Sequence, residues 1–376
     1  MKVATKLNNI RVQLNVPFCT PDFLNKSYYP SLNGWRAMAI ILVVLGHAKA
    51  TAPQYSFYYN FAENFIYQNL GVRIFFVLSG FLITSLLIKE YIKTTSINIK
   101  NFFIKRTLRI FPALYIYLLC VLIVSKILKV DLNLDNFLGP MLYLNNFNLF
   151  QGTWLTGHTW SLAVEEQYYL IWPIIFFKLL KNTWSICIII ILSMPTLKVL
   201  WYYNPELKNV TLEPFLSSAD AIFMGSFFSI LSFKGFFTSR QLLWHNGILF
   251  FISIAIIEMI YFFSSRGLYA PVLLPFGNLL NNILTIFMII STLINNKSII
   301  YRFLNSKYIV HLGIISYSLY LWQQLFIIPT YLYNGKFSSF LVFPFNIVLA
   351  LCAGEISYQL IEKCSQKIRE KFIPVN

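Results

Sequence analysis

Apolar stretches of about 18 to 20 residues recur along this 376-residue chain from end to end. A helix of about 20 apolar residues spans the hydrocarbon core of a bilayer. The composition agrees, because 57% of the residues are hydrophobic and only 12% are charged, whereas roughly a quarter are charged in a soluble domain. The sequence therefore predicts an all-α polytopic membrane protein with the lipid bilayer as its surroundings.

We predict about ten transmembrane helices. They lie roughly at residues 35–52, 71–88, 110–128, 162–180, 183–202, 215–232, 242–262, 275–294, 309–328 and 339–361. The segment 89–109 holds six Lys and Arg, and the segment 51–70 holds none. Because cytoplasmic loops carry an excess of positive charge, 89–109 is expected inside and 51–70 outside.

Extending this orientation along the chain places both termini in the cytoplasm. The predicted inner segments then hold 22 Lys and Arg, and the outer segments hold seven. We divide the chain into a polar N-terminal segment 1–30, a membrane domain 31–362 and a basic tail 363–376. The first 30 residues contain no apolar signal-peptide core, so the first span is expected to act as its own insertion signal.

The net charge of +16 does not predict a nucleic-acid partner, because the basic residues lie between spans and not on one soluble face. The five cysteines are scattered, without the spacing of a disulfide framework or a metal site. We therefore expect no nucleic acid and no metal.

The first predicted span carries an arginine and a histidine in "GWRAMAIILVVLGHAKA", namely Arg36 and His47. Eleven residues at about 100° each bring both side chains to one helix face, roughly 16 Å apart along the axis. Ionisable groups inside a span usually face the protein interior and mark a site. Arg36 as an interface anchor and His47 as a structural histidine remain open alternatives.

A second cluster, "GHTWSLAVEEQYYLIWP", opens the fourth predicted span from the outside. Glu165 and Glu166 are expected near the start of this helix, at the depth of His47. One of them could interact favourably with the helix dipole, and a carboxylate meeting His47 would orient its imidazole. His158 and Trp160 lie just outside the cluster, where interfacial anchoring is the alternative role.

The third element is "IKRTLRIFP", in which Arg106 and Arg109 are three residues apart and share a helix face. They lie at the predicted inner membrane surface. Arginine's planar fork suits phosphate groups, and attraction to anionic lipid headgroups is the alternative. Arginines at one end and a histidine at the other suit an elongated substrate that is anionic at one end and reactive at the other, as acyl-coenzyme A is.

Five blocks carry a resemblance to a known family. They are "LNGWRAMAIILVVLGHA", "GVRIFFVLSGFLIT", "FIKRTLRIFPALY", "HTWSLAVEEQYYLIWP" and "ISYSLYLWQQ". In this order they resemble the signature blocks of the acyltransferase-3 family of membrane acyltransferases. The resemblance implies a ten-helix domain that moves an acyl group, usually acetyl, from cytoplasmic acyl-CoA to a hydroxyl of a glycan or another acceptor.

The resemblance also assigns roles to residues. The Arg-x10-His pattern of the family falls on Arg36 and His47, its Arg-x-x-Arg pattern on Arg106 and Arg109, and the first glutamate of its Ser-Leu-x-x-Glu block on Glu165. Many relatives carry a histidine where this chain has Gln323, so a proton-shuttling role is lost there. Many larger relatives append an outer SGNH-hydrolase domain. We expect the membrane domain of this chain to act alone or with a separate partner that passes the acyl group on.

We therefore predict a bacterial inner-membrane O-acetyltransferase that uses acetyl-CoA and modifies a surface polysaccharide such as lipopolysaccharide O-antigen or exopolysaccharide. His47 is the predicted general base or transient acyl carrier, and Glu165 is expected to orient it. Arg36, Arg106 and Arg109 are expected to hold the coenzyme A phosphates. The expected acceptor-binding residues are Ser161, Trp160, His158, Arg73 and Gln323.

Two alternatives remain open at the level of the sequence. A transporter or flippase of lipid-linked glycans would use the same residues as a polar path and would consume no acyl-CoA. An acyltransferase acting on a small molecule or a lipid would keep the donor site and differ in its acceptor. The sequence leaves the oligomeric state open.

Overall fold

A computed structural model describes residues 18–26, 28–147, 150, 152–204, 218–238, 241–329, 332–333 and 340–372. Every regular element in these ranges is a helix. The helices are α1 Pro30–Ala48, α2 Phe57–Phe65, α3 Gln68–Thr94, α4 Ile99–Leu128, α5 Asp135–Met141, α6 Trp154–Gly157, α7 Thr159–Lys178, α8 Thr183–Tyr203, α9 Ala219–Phe233, α10 Gly247–Ser265, α11 Ala270–Ile294, α12 Ile299–Leu304, α13 Lys307–Ile314, α14 Ser316–Phe326, α15 Phe345–Ser357 and α16 Lys363–Phe372.

The all-α polytopic architecture is confirmed, and each of the ten predicted spans contains helix. Within the described ranges, six helices are long and apolar enough to cross a membrane, and α9 is a shorter apolar helix. The six are Pro30–Thr51, Gln68–Thr94, Ile99–Leu128, Leu180–Tyr203, Gly247–Ser265 and Ala270–Ile294. The count of ten and the cytoplasmic position of both termini stay predictions.

Local sequence signals explain several helix ends. Pro30 occupies the first turn of α1, where its missing N–H costs nothing. The side chain of Asn98 caps α4 by accepting from the backbone N–H of Asn101 at 2.9 Å. At the other end of α4, Lys129 adopts a left-handed conformation that ends the helix.

Two glycines hold α3 and α9 close together. A Cβ atom on Gly80 would lie 1.9 Å from the carbonyl oxygen of Ile222, and one on Gly225 would lie 2.1 Å from that of Val77. Small residues allow this approach, and in lipid the close packing replaces a hydrophobic driving force between helices. Any larger residue at either position would push the two backbones apart.

The ninth and tenth predicted spans are less regular than expected. The ninth is broken at Ile315 into α13 and α14. The tenth continues from α15 through a π-helical turn, Tyr358–Glu362, into α16. A π turn inside a helix often accompanies a functional site.

Part of the predicted polar N-terminal segment packs against the helices. Phe23 and Leu24 are buried, and the backbone N–H of Cys19 donates to the carbonyl oxygen of Phe233 at 2.9 Å. Residues 1–17 of that segment and residues 373–376 of the predicted tail lie outside the described residues. The tail up to Phe372 is the helix α16.

Candidate active site

Three arginines from two helices converge on a cavity of about 80 Å³, which we call the arginine cavity. Arg36 comes from α1, and Arg106 and Arg109 come from α4. Its walls also include Ser79, Ser161, Glu165, Tyr169, Val72 and Tyr320. The structure thus brings together the three residues predicted to bind phosphate.

The arginines have aromatic and amide contacts. The guanidinium of Arg106 lies 4.8 Å from the ring centroid of Tyr169, and Arg36 donates to the side-chain oxygen of Asn33 at 3.4 Å. Among the described residues, none of the three arginines forms an ion pair. The three arginines outnumber the carboxylate of Glu165 that lines the same cavity, and like charges held close together are relieved by an anion, so the arginine cavity suits an anionic ligand.

Glu165 lies in the arginine cavity and not beside His47. Its carboxylate accepts from the hydroxyl of Ser79 at 2.9 Å and from that of Tyr169 at 3.1 Å. The prediction that Glu165 orients His47 is therefore wrong. The reason is the start of α7, which begins at Thr159 and not at residue 162, so that Glu165 lies about 9 Å into the helix.

A second cavity, of about 360 Å³, surrounds His47, and we call it the histidine cavity. Its walls include His47, His158, Trp154, Trp160, Gln324, Val72 and Tyr320. Val72 and Tyr320 line both cavities, so the two adjoin. Arg36 and His47 lie on one helix and each lines one of the adjoining cavities, while their functional roles stay a prediction.

Gln323 orients His47. Its side-chain oxygen lies 3.0 Å from Nδ1 of the imidazole, and an amide oxygen can only accept a hydrogen bond. In the tautomer that donates to this oxygen, Nδ1 carries the hydrogen and Nε2 holds a lone pair. Gln323 was predicted to contact the acceptor. In the structure its side chain is fully buried and contacts His47 instead. Trp154 meets the imidazole edge-on, with ring centroids 5.6 Å apart.

The residues at the start of α7 divide between the cavities. His158 and Trp160 line the histidine cavity. Ser161 lines the arginine cavity, and its hydroxyl lies 2.6 Å from that of Tyr320. Tyr320 lines both cavities. Ser161 therefore holds in place a side chain that forms part of the wall between them.

Arg73 lies elsewhere, which corrects its predicted role in acceptor binding. Its guanidinium pairs with Asp220 at 2.7 Å and with the side-chain oxygen of Asn282 at 2.9 Å. Lys198 joins Asp220 at 3.5 Å. Arg73 lines neither cavity. Its interactions tie α3 to α9 and α11, and the Lys198–Asp220 pair adds α8.

Sequence reasoning did not identify Asp220 or Tyr320. Asp220 carried a usable signal, because a carboxylate within an apolar span is costly and calls for a cationic partner. Tyr320 carried none, because its importance comes from a position between two cavities that only the folded chain defines.

Residues 29–355 match a family described as an acyltransferase domain, the acyltransferase-3 family. The chain is similar to the peptidoglycan O-acetyltransferase OatA of Listeria monocytogenes, with 29% identity over 332 residues that cover 80% of this chain and 49% of the relative. It is also similar to the O-acetyltransferase OatA of Staphylococcus aureus, with 28% identity over 365 residues that cover 89% and 57%. The chain spans about half the length of the curated relatives it matches. No solved structure matches it.

Proposed function

The chain belongs to the acyltransferase-3 family, and from that premise we propose that it is an O-acetyltransferase. In this proposal the donor is acetyl-CoA from the cytoplasm, and the acceptor is a hydroxyl of a bacterial cell-envelope glycan. The protein is a multi-pass membrane protein, and we place it in the bacterial inner membrane. These assignments go beyond the family membership itself.

The observation that carries the proposal is the pair of adjoining cavities. One is lined by three arginines without an ion-pair partner among the described residues, and the other holds a histidine with a free lone pair. Arg36 and His47 stand about 16 Å apart by helix rise. An acyl-CoA has phosphates at one end and a thioester at the other. One molecule can therefore place its phosphates in the arginine cavity and its thioester in the histidine cavity.

The arginines hold the coenzyme A phosphates through charge-assisted hydrogen bonds. Glu165 accepts from Ser79 and Tyr169, which fixes the wall against which Arg106 stacks. We therefore assign Glu165 a positioning role in the donor site. The pantetheine arm runs past Val72 and Tyr320 into the histidine cavity.

His47 is the reacting residue in this proposal. With Nδ1 bound to Gln323, its Nε2 can take a proton from the acceptor hydroxyl or can attack the thioester itself. Both routes need the same tautomer, so the contact with Gln323 serves either. The walls of the cavity add Trp154 and Trp160, whose rings suit the apolar faces of a sugar.

The acceptor class rests on the relatives and on these aromatic walls. One relative is named for peptidoglycan, which makes peptidoglycan a candidate acceptor here. Lipopolysaccharide O-antigen and exopolysaccharide are the other candidates. All three present hydroxyl groups on sugar rings outside the inner membrane.

The test uses purified protein in lipid nanodiscs with radiolabelled acetyl-CoA and each candidate glycan in turn. We expect release of coenzyme A and label in an alkali-labile ester of one glycan. A flippase would instead move a lipid-linked glycan without consuming acetyl-CoA. Acetylation of a small molecule or lipid, with no glycan labelled, would keep the enzyme class and overturn the acceptor.

A further inference from the structure

A second histidine in the histidine cavity has an unused nitrogen. His158 is only 4% exposed, and its Nε2 lies 3.0 Å from the carbonyl oxygen of Leu321. A carbonyl oxygen can only accept, so Nε2 carries the hydrogen and Nδ1 holds the lone pair. Nδ1 is buried and has no hydrogen-bond partner within the described part of the chain.

Gln324, which also lines the histidine cavity, offers a second unused acceptor. Its side-chain oxygen is likewise buried without a partner among the described residues, and the amide lies next to the imidazole of His158. Two buried acceptors with no donor between them are costly. A proton on Nδ1 removes this cost, because Nδ1–H then donates to the Gln324 oxygen.

His158 thus keeps a lone pair on a buried Nδ1, and the Gln324 oxygen can accept a hydrogen bond once a proton has moved to that nitrogen. The other contacts of His158 are packing contacts. Its ring centroid lies 5.6 Å from that of Tyr117 and 5.5 Å from that of Tyr320. These contacts and the bond to Leu321 would serve a purely structural histidine. None of them uses Nδ1, and none accounts for the neighbouring Gln324 oxygen.

We propose that His158 is the general base that takes the proton of the acceptor hydroxyl, which leaves His47 as the residue that carries the acetyl group. This inference rests on the proposed function and divides its chemistry between two histidines of one cavity. The hydroxyl reaches Nδ1 from the histidine cavity, which His158 and Gln324 both line. Catalytic contacts commonly tighten only when substrate binds.

The division gives a balanced reaction. Nε2 of His47 attacks the thioester carbonyl carbon, the carbon–sulfur bond breaks, and coenzyme A leaves as the thiolate. The resulting acetyl-imidazolium keeps its hydrogen on Nδ1 beside Gln323. The acceptor oxygen then attacks the acetyl carbonyl, its proton moves to Nδ1 of His158, and the carbon–nitrogen bond breaks to return neutral His47. His158 releases its proton to water, and the thiolate takes one from water.

The test compares two nucleophiles that differ in their need for a base. The first is the native glycan in membrane vesicles from cells that make the protein, scored as alkali-labile acetyl ester. The second is hydroxylamine, which takes an acetyl group from an acyl-imidazole without base catalysis and yields acetohydroxamate. Vesicles with the His47→Gln variant give the background from its direct reaction with the thioester, which is subtracted. The variants are His158→Gln, which keeps a donor for Leu321, and Gln324→Leu, which removes the oxygen beside Nδ1. His311→Gln is the matched control, because His311 is half-exposed and pairs with Glu355 away from both cavities.

We expect His158→Gln to lower transfer to the glycan by about 10²-fold or more while acetohydroxamate formation stays within about threefold of wild type. Gln324→Leu should show the same split to a smaller degree, and His311→Gln should change neither product. Equal loss of both products in the His158 and Gln324 variants would make His158 structural, and unchanged glycan transfer would also overturn the inference. A wild-type protein that forms neither product would overturn the proposed function itself.

Discussion

The arginine cavity and the histidine cavity adjoin at Val72 and Tyr320 but differ in size and in chemistry. The smaller cavity gathers three cations without an ion pair among the described residues, and the larger one holds two imidazoles fixed by an amide and a carbonyl. In the proposed function the first cavity holds the charged end of the donor and the second moves protons. Binding and reaction are then separated along one helix, which would allow energy gained at the phosphates to position the remote thioester.

The separation is tested most strongly by His47→Gln. Glutamine keeps a hydrogen-bonding group of similar reach but lacks a titratable nitrogen. We expect acetyl transfer to fall by about 10²- to 10⁴-fold, with the affinity for coenzyme A unchanged, because the phosphates are held in the other cavity. Transfer assays and calorimetric binding on the same nanodisc preparation check both. Near wild-type transfer would make His47 structural and would end the distinction between the cavities.

The opposite effect is expected from changing Arg106 and Arg109 together to Ala. Each lost hydrogen bond to a charged group costs about 1.5 to 3 kcal/mol, so the dissociation constant of acetyl-CoA should rise by on the order of 10²-fold. The paired change to Lys should restore only part of the affinity, because a point charge lacks the bidentate fork.

Arg266→Ala is the control for loss of an arginine. Arg266 donates to Asn64 and stacks on Phe262, outside both cavities. It should leave acetyl-CoA affinity unchanged. Unchanged affinity in the Arg106 and Arg109 double variant would instead return those two residues to a role as lipid anchors.

A smaller effect is expected from Gln323→Leu, which keeps the side-chain volume and removes the oxygen that holds Nδ1 of His47. Loss of one neutral hydrogen bond should lower turnover by about 5- to 10-fold. The Michaelis constant for acetyl-CoA should stay constant, because Gln323 does not line the arginine cavity. A change in affinity without a change in turnover would show that the two cavities are not separate in function.

The helices were predictable because hydrophobic length is a local property. The same holds for Arg36 and His47, whose shared face follows from the helical period alone. The break at Ile315 and the π turn Tyr358–Glu362 were not predictable, because packing against neighbouring helices and not local composition sets them.

The partners within the site were harder to predict than its members. Gln323 meets His47 across 276 positions of sequence, and Arg73 meets Asp220 across 147. One sequence carries no record of such pairings. For Glu165, the predicted start of α7 was three residues too late. This error placed the carboxylate beside His47, whereas the structure places it in the arginine cavity.

The central claim is that one donor spans both cavities with its acyl group at His47. Bromoacetyl-CoA, which carries an alkylating group in place of the acetyl, tests this directly when the modified residue is mapped by peptide mass spectrometry. The account predicts stoichiometric modification of His47, protection by free coenzyme A and slower modification in the Arg106 and Arg109 double Ala variant. Modification outside the histidine cavity, or equally fast modification of the His47→Gln variant, would contradict it.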